Sequence, residues 1–286
     1  MDELYTFQDQ PSLREPLLIV TLEGWIDAGL GAAAAVAALL TAIPTDLVAS
    51  FDADTLLDHR ARRPVVRIVD GVNTTLLWPE IQLRAGKTGD GRDVLFLVGP
   101  EPDHQWRAFA RSVAELAGTF DVRMLVGLGA FPAPVPHTRP SRLASTASTT
   151  ELAHKVGFLP GTIDVPAGAQ AALERQFAEL GIPAVGLWAR VPHYAAAMPY
   201  PEASVVLLDG LERLTGVAVD ASELRESAAG SRRRLDELIA NSDEHAALVR
   251  QLEAQADAET ERPLGSIPSG DELAAEVERF LREENS

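Results

Sequence analysis

The chain has no cysteine among its 286 residues, which excludes disulfides, thiolate metal sites and a cysteine nucleophile. Basic residues are scarce too: 25 Lys and Arg stand against 42 Asp and Glu, a formal charge of −17. Nucleic acids and anionic membranes demand a basic footprint, so neither is an expected partner. No apolar stretch approaches the roughly 20 residues needed to span a bilayer. The acidic start, Met1-Asp2-Glu3-Leu4-Tyr5, lacks the basic-then-apolar order of a signal peptide. A soluble, cytoplasmic protein is the expectation. Strong catalytic signatures are also missing: no Walker A loop, no G-x-G-x-x-G, no H-E-x-x-H and no G-x-S-x-G.

What is present is a large hydrophobic complement. At 46% hydrophobic, a chain of this length can hide about 75% of its unfolded surface. Residues 17 to about 217 alternate short aliphatic runs with longer runs of helical period, which predicts an α/β domain. Strands are expected at 17–22, 46–50, 65–69, 74–78, 80–84, 94–98, 123–128, 141–145 and 184–189. Asp70-Gly71-Val72-Asn73 reads as a hairpin connection, so the sheet is mixed and not purely parallel.

Helices are expected over 30–43, 103–118, 148–157, 167–181 and 201–216. The third opens on a Ser148-Thr149-Thr150-Glu151 capping box. Past Val219 the strands stop. Two helices, with Leu235, Leu238 and Ile239 on one apolar face and Val249 and Leu252 on the next, form a hairpin that must pack on the body or on another subunit. The expected division is a core at 1–219, a helical hairpin at 220–260, and a linker with an acidic helix at 261–286. Residues 220–286 hold 17 acids and 8 bases, either a solvated surface or a docking face for a basic partner.

The richest segment is Glu23-Gly24-Trp25-Ile26-Asp27-Ala28-Gly29, a Gly-rich bend between an aliphatic strand and an alanine-rich helix. Such bends lie at the carboxyl ends of strands, where open α/β sheets bind ligands. Asp27 would place a carboxylate at the helix start, so it reads as a cap and argues against a phosphate there. Three more strands end in similar bends, around Gly99-Pro100-Glu101, Gly129 to Pro136-His137-Thr138-Arg139, and Pro192-His193-Tyr194. If these bends converge, Glu23, Asp27, Glu101, His137 and His193 are candidate acid/base residues. Gly24, Trp25, Gly29, Gly129, Arg139 and Tyr194 are then candidate ligand contacts, with Arg139 able to clamp an anion. Pro-His-Tyr after a strand reads equally as a packed corner.

No metal or cofactor is expected. The six histidines never fall within four residues of one another. Glu151 and His154 have E-x-x-H spacing, but a di-metal bundle needs that motif twice. Asp52, Asp54, Asp58 and His59 could hold a hard cation, although acidic turns and caps look the same.

These segments resemble the proteasome assembly chaperone 2 (PAC2) family, in its longer bacterial branch. The matching pieces are Gly24-Trp25-x-Asp27-Ala28-Gly29, Phe51-Asp52, Gly99-Pro100-Glu101-Pro102, Gly127-Leu128-Gly129-Ala130, Pro136-His137-Thr138-Arg139, Val191-Pro192-His193-Tyr194 and Pro201-x-Ala203-Ser204. The resemblance covers roughly residues 15 to 260. It implies a three-layer α/β/α body similar to phosphorylases and hydrolases, followed by a helical appendage. It also implies self-association, guessed as a trimer, and a protein-binding, non-catalytic assembly role. The alternative it leaves is a phosphorylase- or hydrolase-like enzyme, or a carboxylate-amine ligase, acting on a small metabolite at the strand ends.

Overall fold

The computed structural model describes residues 4–24 and 26–261. Its centre is four parallel strands: β7 (Asp93–Pro100), β2 (Leu17–Glu23), β8 (Met124–Ala133) and β10 (Ala184–Pro192). Antiparallel strands flank them. β6 (Gln82–Lys87), β3 (Thr45–Phe51) and β1 (Tyr5–Phe7) continue one side, and β9 (Leu143–Ala147) closes the other. The sheet is mixed, as expected, although the expected hairpin is not part of it.

Each central strand is apolar at nearly every position because both faces are covered. Leu17 and Ile19 of β2 face a core with α1 (Gly31–Ala42) and α6 (Pro201–Thr215), through Ala35, Leu39, Leu207 and Leu211. Leu18 and Val20 face the other core, with α3 (Trp106–Thr119) and α5 (Ala169–Glu179), through Phe109, Val113, Leu173 and Phe177. The side-chain period of two in a strand makes this division. The result is the α/β/α sandwich.

Two long helices follow. α7 (Ser222–Ala240) buries Ala228, Ser231 and Leu235, and α8 (Asp243–Glu261) buries Val249 and Leu252. Leu238 was expected on the apolar face of α7, yet it is 58% exposed. The expected linker and last acidic helix lie outside the described residues.

One local expectation changes. Thr149, not Ser148, caps α4 (Thr150–Val156), its hydroxyl accepting from the Leu152 amide at 3.3 Å. Ser148 instead accepts from the Ala184 amide at 3.0 Å. The acidic turn at Asp52 is a cap: its carboxylate accepts from the Thr55 amide and hydroxyl and starts α2 (Ala53–Leu56). Among the described residues, no cluster of three or more His, Asp or Glu could hold a metal ion.

The expected strands at 65–69 and 74–78 pair with each other alone. β4 (Val65–Val69) and β5 (Val72–Leu77) form an antiparallel arm outside the main sheet, with every residue exposed.

Candidate functional site

The carboxyl ends of β2, β7, β8 and β10 do converge, and contacts between their loops show how. The Glu101 amide donates to the Glu23 carbonyl at 2.7 Å, joining the β7 and β2 ends. Asp27 forms a parallel bridge with Ala130 of β8. The Gly29 amide donates to the Ala196 carbonyl at 2.9 Å, and Tyr200 donates back to Gly29 at 2.8 Å. That splice ties the β2 loop to the loop after β10. Gly29 has φ +65, and a Cβ there would stand 2.6 Å from the Tyr200 Cβ. Only glycine fits both conditions.

The carboxylates at this rim are engaged by helices. Asp27 accepts from the Ala32 and Ala33 amides at 2.7 and 2.9 Å, capping α1 from beyond a short 3-10 turn. Burial pushes its carboxyl pKa up, while the hydrogen bonds from Ala32, Ala33 and Gly31 oppose that. Glu101 is buried, and its Oε1 accepts from the Ala169 amide, the first residue of α5. Both positions place negative charge at the positive end of a helix. Glu23 is exposed, and the Arg62 guanidinium lies against Gly24, within 2.8 Å of where a Cβ would stand. Trp25 lies outside the described residues.

The Pro-His-Thr-Arg loop after β8 meets the C-terminal helices. His137 is 3% exposed. Its Nε2 is 3.1 Å from Asp236 of α7, and its Nδ1 is 2.7 Å from the Tyr194 hydroxyl. That hydroxyl also accepts from the His137 amide at 2.9 Å. The Asp236 carboxylate only accepts, so Nε2 is the donor of that pair, and Nδ1 shares a hydrogen bond with the Tyr194 hydroxyl. Arg139 binds Asp257 of α8 through Nε and Nη2 at 2.7 and 2.8 Å, and Glu253 through Nη1 at 3.1 Å. The Thr138 hydroxyl donates to Glu253, and Arg232 donates to the Thr138 carbonyl. His193 is exposed beside Tyr194, ring centroids 5.4 Å apart.

The structure thus gathers the candidates on one rim but divides them. Glu23, Gly24 and Glu101 sit over β2 and β7; His137, Arg139 and Tyr194 sit under α7 and α8. Gly129 belongs to neither group. It opens the opposite face of the sheet, where a Cβ would run into the Trp188 ring at 2.3 Å. Gly127 and Gly186 make room there for Gln170 and Glu174. Glu174, buried and bonded by Gln170 at 3.0 Å, has its carboxyl pKa raised by burial.

A cavity of about 490 Å³ remains between the rim and α8, lined by Pro136, Arg139, Arg142, Arg190, Tyr200 and Asp257. A larger cleft of about 920 Å³ lies at the other end of the strands. There Arg92 and Arg123 donate to the Thr215 carbonyl and so close the end of α6, a packing role. Burial also raises the Tyr194 hydroxyl pKa, with Glu253 and Asp236 adding to it. A phenol held neutral is a donor and not a nucleophile.

Comparison with known proteins agrees with this architecture. The model of the PAC2 family matches residues 21–239. The chain belongs to the PAC2 family. The match ends in α7, so α8 with its Glu253 and Asp257 lies beyond it. A protein of unknown function from Corynebacterium glutamicum is 34% identical (TM-score 0.84), the alignment covering 91% of this chain and 99% of that one. A proteasome-assembly chaperone homologue from Mycobacterium tuberculosis is 33% identical (TM-score 0.76), over 82% of this chain and 99% of that one. A PAC2 family protein from Streptomyces avermitilis is 33% identical (TM-score 0.73), with the same coverage. No curated protein matches the chain.

The partners of His137 and Arg139 were not foreseen from sequence. One signal was there: Glu253 and Asp257 stand four apart on one helix face. Like charges at that spacing destabilise an isolated helix, so the pair signals a cation arriving from elsewhere.

Proposed function

We propose that this PAC2 protein is a non-catalytic, protein-binding assembly factor that works as a homo-oligomer, with a trimer as the state guessed from family resemblance. One observation carries the reading. Four of the six acid/base and anion-clamping side chains of the strand-end loops are bound to the protein's own helices: Asp27 to α1, Glu101 to α5, His137 to α7 and Arg139 to α8; Glu23 and His193 are exposed. Groups held this way build a rigid platform; they do not present a free base and a free cation to a substrate. The Mycobacterium tuberculosis relative, described as a proteasome-assembly chaperone homologue, supplies the class of partner.

The test is to add the purified chain to separately purified proteasome α and β subunits from Mycobacterium tuberculosis. Native gels should show binding to unassembled subunits and earlier appearance of assembly intermediates. Absence of any complex, together with turnover of a metabolite that His137→Ala abolishes, overturns the reading. The 490 Å³ cavity with Arg139, Arg142 and Arg190 favours one second reading, an enzyme of phosphorylase or hydrolase type acting on a small anionic metabolite. A thermal-shift screen separates the two: a ligand at 100 times its dissociation constant adds about 2.7 kcal/mol of stability.

A further inference from the structure

The β4–β5 arm stands alone, and a two-stranded hairpin is marginal in water by itself. Val65 pairs with Leu77 on one face and Val66 with Leu76 on the other, so both faces are apolar. Val65, Ile68 and Val72 are 64%, 61% and 63% exposed. The arm is nevertheless anchored at its root. Arg62 binds Asp103 at 3.1 Å, Asp103 accepts from the Asp58 amide at 2.8 Å, and His59 meets Trp78 edge-on at 4.8 Å. A rooted arm with two bare apolar faces and two free edges is built to be covered.

The same chain carries a second unpartnered segment. Residues 158–167, between α4 and α5, form no helix or strand and make no backbone hydrogen bond to the rest of the described chain. Phe158, Leu159, Ile163 and Val165 are exposed there, Val165 at 71%. This strip follows β9, the outermost strand on one side of the sheet, whereas the arm leaves from the β3–β6 side. Each is exposed, so within one chain they do not cover each other.

Their chemistries match. Arg67 is the charged residue of the arm's strands, flanked by Val66 and Ile68; Asp164 is the charged residue of the strip, flanked by Ile163 and Val165. Residues 60–79 hold four arginines and one aspartate in a chain of net charge −17. Two such arms repel each other, while the body of another copy attracts them. We propose that the arm of one copy takes the 158–165 strip of the next as an added strand along β4. Backbone pairing would give affinity, and the alternate apolar residues the fit. Such a contact joins unlike surfaces, so it propagates head to tail, and a rotation that closes makes a ring of copies.

The test is mass in solution by light scattering, with no other protein present. Wild type should weigh several chains, whereas Ile68→Glu and Val165→Glu should each weigh one. Both substitutions fall on exposed residues, so circular dichroism should match wild type. Mixing the two variants, at concentrations where wild type assembles, should give a two-chain species, since one intact arm then meets one intact strip. A single-chain wild type overturns the proposal. So does a Val165→Glu variant of wild-type mass, which would place the arm elsewhere, or a mixture that stays at one chain. The proposal rests on the homo-oligomer of the proposed function, which a single-chain wild type removes as well and the other two failures leave standing; binding to proteasome subunits is read separately.

Discussion

At the scale of single residues, His137 and Gly29 carry the most consequence. His137→Ala removes a ring that is almost wholly buried and leaves the Tyr194 hydroxyl without its Nδ1 partner. The hydroxyl keeps the residue-137 amide as its donor, so the cost is the lost ring packing together with two lost hydrogen bonds, one to Tyr194 and one to α7, each about 1 kcal/mol. Tyr194→Phe keeps the ring but leaves the buried His137 amide and Nδ1 without their partner, and should cost about 1–3 kcal/mol. Urea unfolding should therefore place both variants below wild type. Equal stability of all three would mean that the network does not hold the helices. Gly29→Ala meets two penalties together, a left-handed φ and the close Tyr200 side chain. Left-handed strain alone costs about 1–3 kcal/mol, so the urea midpoint should fall here too.

At the scale of elements, α5 carries a buried carboxylate whose titration has a definite sign. Burial raises the Glu174 pKa, so the folded state favours the protonated form. Its stabilising contribution is complete below the ordinary carboxylate pKa and is lost as pH rises through the raised value. Glu174→Gln keeps a neutral amide against Gln170 and Thr146 at every pH. Melting temperatures should then rise relative to wild type at pH 7 and above, and the gap should shrink in mild acid. A gap that widens in acid would contradict a burial-raised carboxyl.

The elements were legible where both faces of a strand are buried, because β2, β7, β8 and β10 then read as unbroken apolar runs. β1 escaped notice because three residues, Tyr5–Phe7, carry too little pattern. α2 escaped because four residues opened by Asp52 look like any acidic turn. At the rim, the glycine and proline bends do follow the central strands. The partners of its side chains lie 99 to 118 positions away, on helices whose polar faces look solvated. The spacing of Glu253 and Asp257 signals a cation, but no local spacing says which one. The pairings follow from where α7 and α8 pack.

At the scale of the whole molecule, a large negative charge surrounds one cationic, apolar arm, and that contrast makes protease sensitivity informative. Arg67 sits within β4, and the Arg67–Ile68 bond is a trypsin site on an exposed strand. Arg63 is followed by Pro64, which blocks cleavage there. If the arm is paired with the strip of a neighbouring copy, a protease needs the arm to open or the copies to dissociate. Cleavage at Arg67 should then be slow in concentrated wild type and speed up on dilution, since association is linked to concentration. In Val165→Glu it should be fast at every concentration. The cores hold no residue of the arm, so the nicked body should keep its melting temperature. Mass spectrometry of timed digests gives both rates. Equal rates for the two proteins across a hundredfold range of concentration would show an arm open to solvent in both. The apolar arm would then have to be covered by a partner other than a second copy.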